Sequence, residues 1–154
     1  MKDINEFKGA YYFLSNFHEA PFVYDGLTYL NNEAAFQGAK LQSDTYQCPK
    51  TGLTRLDFTQ MAPNVAKQYG RRVQLREDWE SIKIDVMTEI VRQKFRCNPA
   101  LCHKLLLTKG AKLYEGNTWR DLYWGVDART GKGQNHLGQI LMQVREELAN
   151  ESNE

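Results

Sequence analysis

Nowhere in its 154 residues does this sequence hold an apolar run of the roughly 20 residues needed to span a membrane. The opening stretch, MKDINEFKGA, lacks the uninterrupted apolar segment of a secretory signal. A cytoplasmic protein without a membrane partner is therefore expected. Cysteine is scarce. Cys48, Cys97 and Cys102 are odd in number and show no CxxC spacing, so they imply neither a disulfide framework nor a zinc site. His18, His103 and His136 are scattered and form no HExxH pattern, so no metal is expected, and nothing calls for a cofactor. Charge of one sign is also missing: the formal net charge is +1, and bulk electrostatics do not announce a nucleic-acid binder. Only a local basic patch remains open to such a partner. No internal repeat, linker or low-complexity block interrupts the chain.

What is present points to one domain with a real hydrophobic core. Three Trp, eight Tyr and seven Phe can fill that core or wall a base-binding site. The first thirty residues read as extended structure, with Asp25-Gly26 turning a hairpin between two β-prone runs. A short helix follows, capped by Asn31 or Asn32. SDTYQCPKTG reads as a loop, and the next stretch as short helices broken near Pro63 and stopped at Gly70. Trp79, Ile82, Val86, Ile90, Lys94 and Phe95 recur at helical spacing, with Asp78 as candidate cap. Another helix spans about Pro99 to Thr108, AKLYEG suggests a short strand, and a last helix from Leu137 turns Leu137, Ile140, Leu141, Val144 and Leu148 inward. The fold class is α+β: a single, mainly helical domain over residues 1–149 with a small N-terminal hairpin, and a polar, frayed tail at 150–154.

Chemistry gathers in two segments. In NNEAAFQGAK, Glu33, Phe36, Gln37 and Lys40 fall within an arc of roughly 100° on the helix, opposite the small residues Ala35, Gly38 and Ala39. An ordinary helix, with Phe36 in the core and Glu33 and Lys40 on a solvated rim, is the plainer account of that stripe taken alone. In TWRDLYWGVDARTGKGQNHLG, Trp119 and Trp124 bracket Asp121 near Gly125, and Gly131, Gly133 and Gly138 lead through Asn135 into the last helix. Glycines ahead of a helix N-terminus suit an anion, but the spacing is not that of a Walker A loop, and a plain turn fits as well. The tryptophans serve as base-stacking walls or as core filler, and Asp121 as an acid/base or a turn cap. Arg71 is a candidate phosphate ligand.

Taken together, FLSNF, YDGLTYLNNEAAFQGAK, GRRVQLREDW, VMTEIVRQKF, YEGN, DLYWG and GKGQNHLGQILMQVR resemble the NADAR family of YbiA-like N-glycosidases, in the family's order and over nearly the whole chain. Ala34 departs from the pattern, where many relatives carry His. The resemblance implies metal-free hydrolysis of an N-glycosidic bond, with Lys40 forming a Schiff base and Glu33 and Asp121 as acid/base candidates. It further implies that Trp79, Trp119, Trp124, Gly125, Arg71, Asn135, Gly133, Phe36 and Asn16 line the ligand. The implied substrate is ADP-ribose on the amino group of guanine in DNA, or an ADP-ribose-like ligand, with a DNA ADP-ribosyltransferase toxin as a possible cognate partner. Ribosylamino-pyrimidine phosphates of riboflavin biosynthesis are the alternative, and a silent ADP-ribose-binding module a further one. For the attack Lys40 must be uncharged, so the site has to lower its pKa from about 10.4.

Overall fold

A computed structural model describes residues 1–152, which fall into two compact units, 16–98 and 1–15 with 99–152. The architecture is α+β and mainly helical, as expected.

In the first unit, β1 (Phe22–Tyr24) and β2 (Leu27–Tyr29) form the hairpin, with Phe22 opposite Tyr29 and Tyr24 opposite Leu27. Asp25 and Gly26 both take positive φ, 49° and 82°, as a two-residue type I′ turn demands. Phe22 and Tyr29 face the core while Val23 points outward. Next come α1 (Asn32–Gly38), α2 (Arg55–Phe58), α3 (Pro63–Gly70) and α4 (Trp79–Cys97). Pro63 stands in the first turn of α3, where its missing N–H costs nothing. Arg55 is buried and ties the loop before it to the hairpin: its guanidinium donates to the Leu41 carbonyl at 2.7 and 3.2 Å, to Asp25 at 3.0 Å and to Asp44 at 3.1 Å. The periodic stripe of α4 is buried at Trp79, Val86, Ile90, Lys94 and Phe95, and half-buried at Ile82. Asp78 sits at the cap position of α4 without capping it, because its carboxylate is taken by Arg76 at 2.6 and 3.1 Å.

In the second unit, the aromatic run expected to be extended is a 3-10 helix, Gly9–Leu14. Gly9 at φ 58° turns the chain out of an extended path, and the consecutive residues Phe13 and Leu14 are both buried, which a strand would place on opposite faces. After α5 (Pro99–Leu107), the anticipated AKLYEG strand shrinks to a single bridge between Leu113 and Ile4. The strand itself is β3 (Gly116–Asn117), parallel to β4 (Val126–Asp127). Helix α6 (His136–Ser152) buries Leu137, Ile140, Leu141, Val144 and Leu148. It includes residues 150–152 of the expected tail, and Asn153 and Glu154 lie outside the described residues. No helix among the described residues is long and apolar enough to cross a membrane.

Candidate active site

Every residue of α1 is buried, and Lys40, two residues beyond its end, is half-buried. Glu33, only 9% exposed, is no rim carboxylate. The small stripe packs as expected: a Cβ on Gly38 would lie 3.2 Å from the Tyr29 hydroxyl and 3.3 Å from Phe58. Asn31 caps the helix, its Oδ1 accepting the Ala34 N–H at 2.8 Å, while its amide donates to the Met61 carbonyl at 3.0 Å. Asn16 acts as a second clamp. Its carbonyl accepts the Glu33 N–H at 3.2 Å, its Oδ1 accepts the Asn32 amide at 2.9 Å, and its own amide reaches the Met87 sulfur at 3.6 Å. Asn16 therefore positions the start of the helix, and with it Glu33.

Gln37, a turn after Glu33, donates its amide to Glu33 Oε1 at 2.7 Å. Its other end, Oε1, is buried and meets no donor among the described residues. That oxygen lies against Gly70, where a Cβ would come within 1.9 Å of it. The Gly70 carbonyl in turn accepts the Lys40 ammonium at 3.2 Å. Gln37, bonded to Glu33, and Lys40 thus both meet one glycine at the end of α3. Burial pushes the Lys40 pKa down; the Glu33 charge opposes this, and the Arg71 and Lys83 charges assist it. Gln37 was visible on the reactive arc, but an amide's role as a link between a carboxylate and a glycine has no signature in spacing.

Phe36 and Trp79 are both buried and pack on each other, ring centroids 5.0 Å apart and tilted by 56°. Arg71 follows α3 directly and is exposed.

In the second unit the expected residues make the following contacts. Asp121 Oδ1 accepts the N–H groups of Tyr123 at 3.3 Å and Trp124 at 3.0 Å, the turn-capping use. The anion cradle before α6 is not open. The N–H groups of Asn135, His136 and Leu137 already donate to the carbonyls of Gly125, Tyr123 and Trp124 at 3.1, 3.2 and 3.0 Å. Asn135 itself is buried, its side chain bonded to the Glu115 N–H at 3.1 Å and the Leu113 carbonyl at 2.9 Å. Gly125 and Gly133 are required by close approach, since a Cβ would meet the Glu115 carbonyl at 2.1 Å and the Gly125 carbonyl at 2.4 Å respectively. Trp124 packs edge-on against Tyr123, centroids 4.9 Å apart, whereas Trp119 is 56% exposed. A cavity of about 720 Å³ between α5 and α6, lined by Leu106, Lys109, Met142 and Arg145, holds none of the expected site residues.

The α+β architecture thus carries, on and just after one short helix, a buried carboxylate and a lysine whose pKa burial lowers. The family model described as NADAR domain matches residues 4–149, and the chain belongs to that family. Among curated proteins, the N-glycosidase YbiA of Escherichia coli is 40% identical over 137 residues, 88% of this chain and 80% of that protein. The riboflavin biosynthesis protein VVA0006 of Vibrio vulnificus is 35% identical over 136 residues, 88% of this chain and 35% of its own length. The NMR structure of Escherichia coli YbiA superposes with a TM-score of 0.82 at 36% identity, covering 100% of this chain and 90% of the other.

Proposed function

We propose that this chain cleaves the bond between a ribose anomeric carbon and an exocyclic amine, with ADP-ribose on the amino group of guanine in nucleic acid as its substrate. Its class is that of a hydrolase acting on N-glycosyl bonds. The observation that carries the mechanism is the Lys40 amine, its pKa lowered by burial and its nitrogen held at the Gly70 carbonyl.

The ribose ring first opens: the bond from C1′ to the ring oxygen breaks, that oxygen takes the proton of the exocyclic amine, and an imine remains. Neutral Lys40 Nζ adds to C1′ while the imine electrons return to the guanine nitrogen with a proton. The bond from C1′ to guanine then breaks, guanine leaves with its amino group restored, and C1′ is held as a Schiff base on Lys40. Water adds to C1′ and the lysine departs, so one water is consumed overall. Glu33, oriented by Gln37, moves the protons. Asp121, whose Oδ1 accepts two N–H groups of its own loop, stays the second acid/base candidate through its other carboxylate oxygen. The unpartnered Gln37 Oε1 offers an acceptor to a substrate N–H or O–H. A DNA ADP-ribosyltransferase toxin is the partner this reading calls for.

A second substrate class, the ribosylamino-pyrimidine phosphates, is favoured by the name of the Vibrio vulnificus relative. Both carry ribose on an exocyclic amine, so one chemistry serves either. Offering an ADP-ribosylated oligonucleotide and a ribosylamino-pyrimidine phosphate separately, with mass spectrometry of the products, decides between them. Lys40→Ala is expected to abolish turnover, and borohydride to trap a sugar adduct on the parent chain only. A fully active Lys40→Ala variant removes the lysine from the mechanism.

A further inference from the structure

Because β3 and β4 run parallel with Asn117 beside Asp127, the loops that leave their C-terminal ends emerge on the same side of the ribbon. The Ala128 N–H donates to the Asn117 carbonyl at 2.8 Å, which pins the two loop starts together. Both loops are built to be stiff. The Asn117 side chain grips Asp121 from two directions, donating to its carbonyl at 2.9 Å and accepting its N–H at 3.0 Å. Between these anchors Arg120 is held at φ 66°, a conformation that a non-glycine residue adopts only under such constraint. In the second loop Asp127 Oδ1 accepts the N–H groups of Arg129 at 2.8 Å and Thr130 at 2.9 Å. The Asp127 N–H donates to the Lys132 carbonyl at 2.8 Å.

This construction has two results. Trp119 stands 56% exposed and Leu122 45% exposed on a tip that has little freedom to fold them away. The carboxylates of Asp121 and Asp127 accept backbone N–H groups, and Arg120, Arg129 and Lys132 are exposed with no carboxylate within 4.0 Å among the described residues, the Arg129 charge acting on Asp127 from farther off. An exposed indole on one loop, with exposed cations on it and on the loop that starts beside it, matches the combination used on single-stranded nucleic acid, in which a ring stacks on an unpaired base and cations meet the phosphates. A duplex hides its base faces within the stack and offers the indole nothing. A protein partner would call for a wider apolar patch than two side chains supply.

We infer that this paired-loop face binds single-stranded nucleic acid, with Trp119 stacked on one base and Arg120, Arg129 and Lys132 on the phosphates. The biological use of this face rests on the nucleic-acid form of the proposed substrate. The binding itself does not involve Lys40 and is measured without turnover.

The experiment is fluorescence anisotropy of a labelled twelve-residue oligothymidylate with the whole chain. Trp119→Ala is expected to weaken binding by about 10- to 100-fold, the worth of one stacked base, and Trp119→Phe to retain most of it. Arg120→Gln is expected to lower the slope of log affinity against log salt by about 0.7. Since the Trp119 ring is exposed, an unchanged melting temperature in both Trp119 variants verifies that the fold is intact. Equal binding by Trp119→Ala, or tighter binding of a duplex or of anionic vesicles than of the single strand, overturns the inference. Trp119-dependent binding without cleavage of an ADP-ribosylated oligonucleotide defeats the substrate reading and leaves this face standing. Turnover without such binding defeats only the face.

Discussion

Replacing Gly70 by alanine adds one methyl group where the candidate site is tightest. Gly70 has ordinary helical geometry at the end of α3, so backbone strain plays no part, and alanine gains up to about 1 kcal/mol of helix propensity. The new Cβ, however, would lie 1.9 Å from Gln37 Oε1 and 2.4 Å from its Cδ. Restoring an ordinary C···O contact of about 3.3 Å moves the amide by about 1.4 Å. Gln37 is buried, so its amide cannot swing into water to comply. The 2.7 Å bond to Glu33 is then broken, and a hydrogen bond to a charged group is worth about 1.5–3 kcal/mol. The net expectation is a loss of about 1–2 kcal/mol, a fall in melting temperature of about 2–8 °C for a chain of this size. Catalysis suffers more, because a displacement of this order in a positioning group costs about 100-fold in rate. Thermal denaturation and steady-state kinetics on the same preparation test both numbers. A Gly70→Ala enzyme with parental kcat/KM refutes the claim that the Glu33–Gln37–Gly70 link positions the reaction.

Turnover by the parent enzyme should rise with pH through an apparent pKa below that of an ordinary lysine, since only neutral Lys40 attacks; Glu33→Gln, by removing the charge that opposes this, should move any remaining activity's rise to lower pH. A rate–pH profile of each checks the direction. Lys94 is completely buried and burial alone pushes its pKa down to about 7, far below the unfolded value of about 10.4. The unfolded chain therefore binds the extra proton between those limits, and stability should climb as pH rises from about 7 towards 10.4. Urea titrations of Lys94→Met should show higher stability at neutral pH and the loss of that climb. Arg55→Ala strands the Leu41 carbonyl and releases two aspartates, with an expected cost of about 2–4 kcal/mol in the same assay, most of it from the buried carbonyl because Asp25 and Asp44 are exposed.

Elements whose signals are local were legible in the sequence. Asp25-Gly26 requires positive φ twice and takes it, Asn31 caps where an Asn precedes an apolar run, and the spacing of α4 and α6 names their buried faces, including Lys94. Signals that depend on distant partners were not. The residues Gly9–Leu14 have strand-forming composition, yet two adjacent buried side chains require a helical turn. Gly125, Gly133 and Asn135 look like an anion loop, but what makes them small or bent is the backbone packed against them, and the helix N–H groups are occupied by carbonyls ten or more residues away. In the candidate site, Lys40 and Glu33 were legible as a pair on one arc. The amide that joins Glu33 to Gly70 was not, because Gly70 lies 30 or more residues downstream of both partners.

Helix α1 has only seven residues, well below the length at which an isolated helix persists in water. The shelter that disarms the Lys40 charge therefore exists only while hairpin, α2, α3 and α4 enclose it. A nascent or partly melted chain carries a commonplace ammonium, inert towards the open-chain sugars and aldehydes of its surroundings. Completing the fold is therefore what lowers the Lys40 pKa, and losing any of these elements returns the amine to its ordinary value.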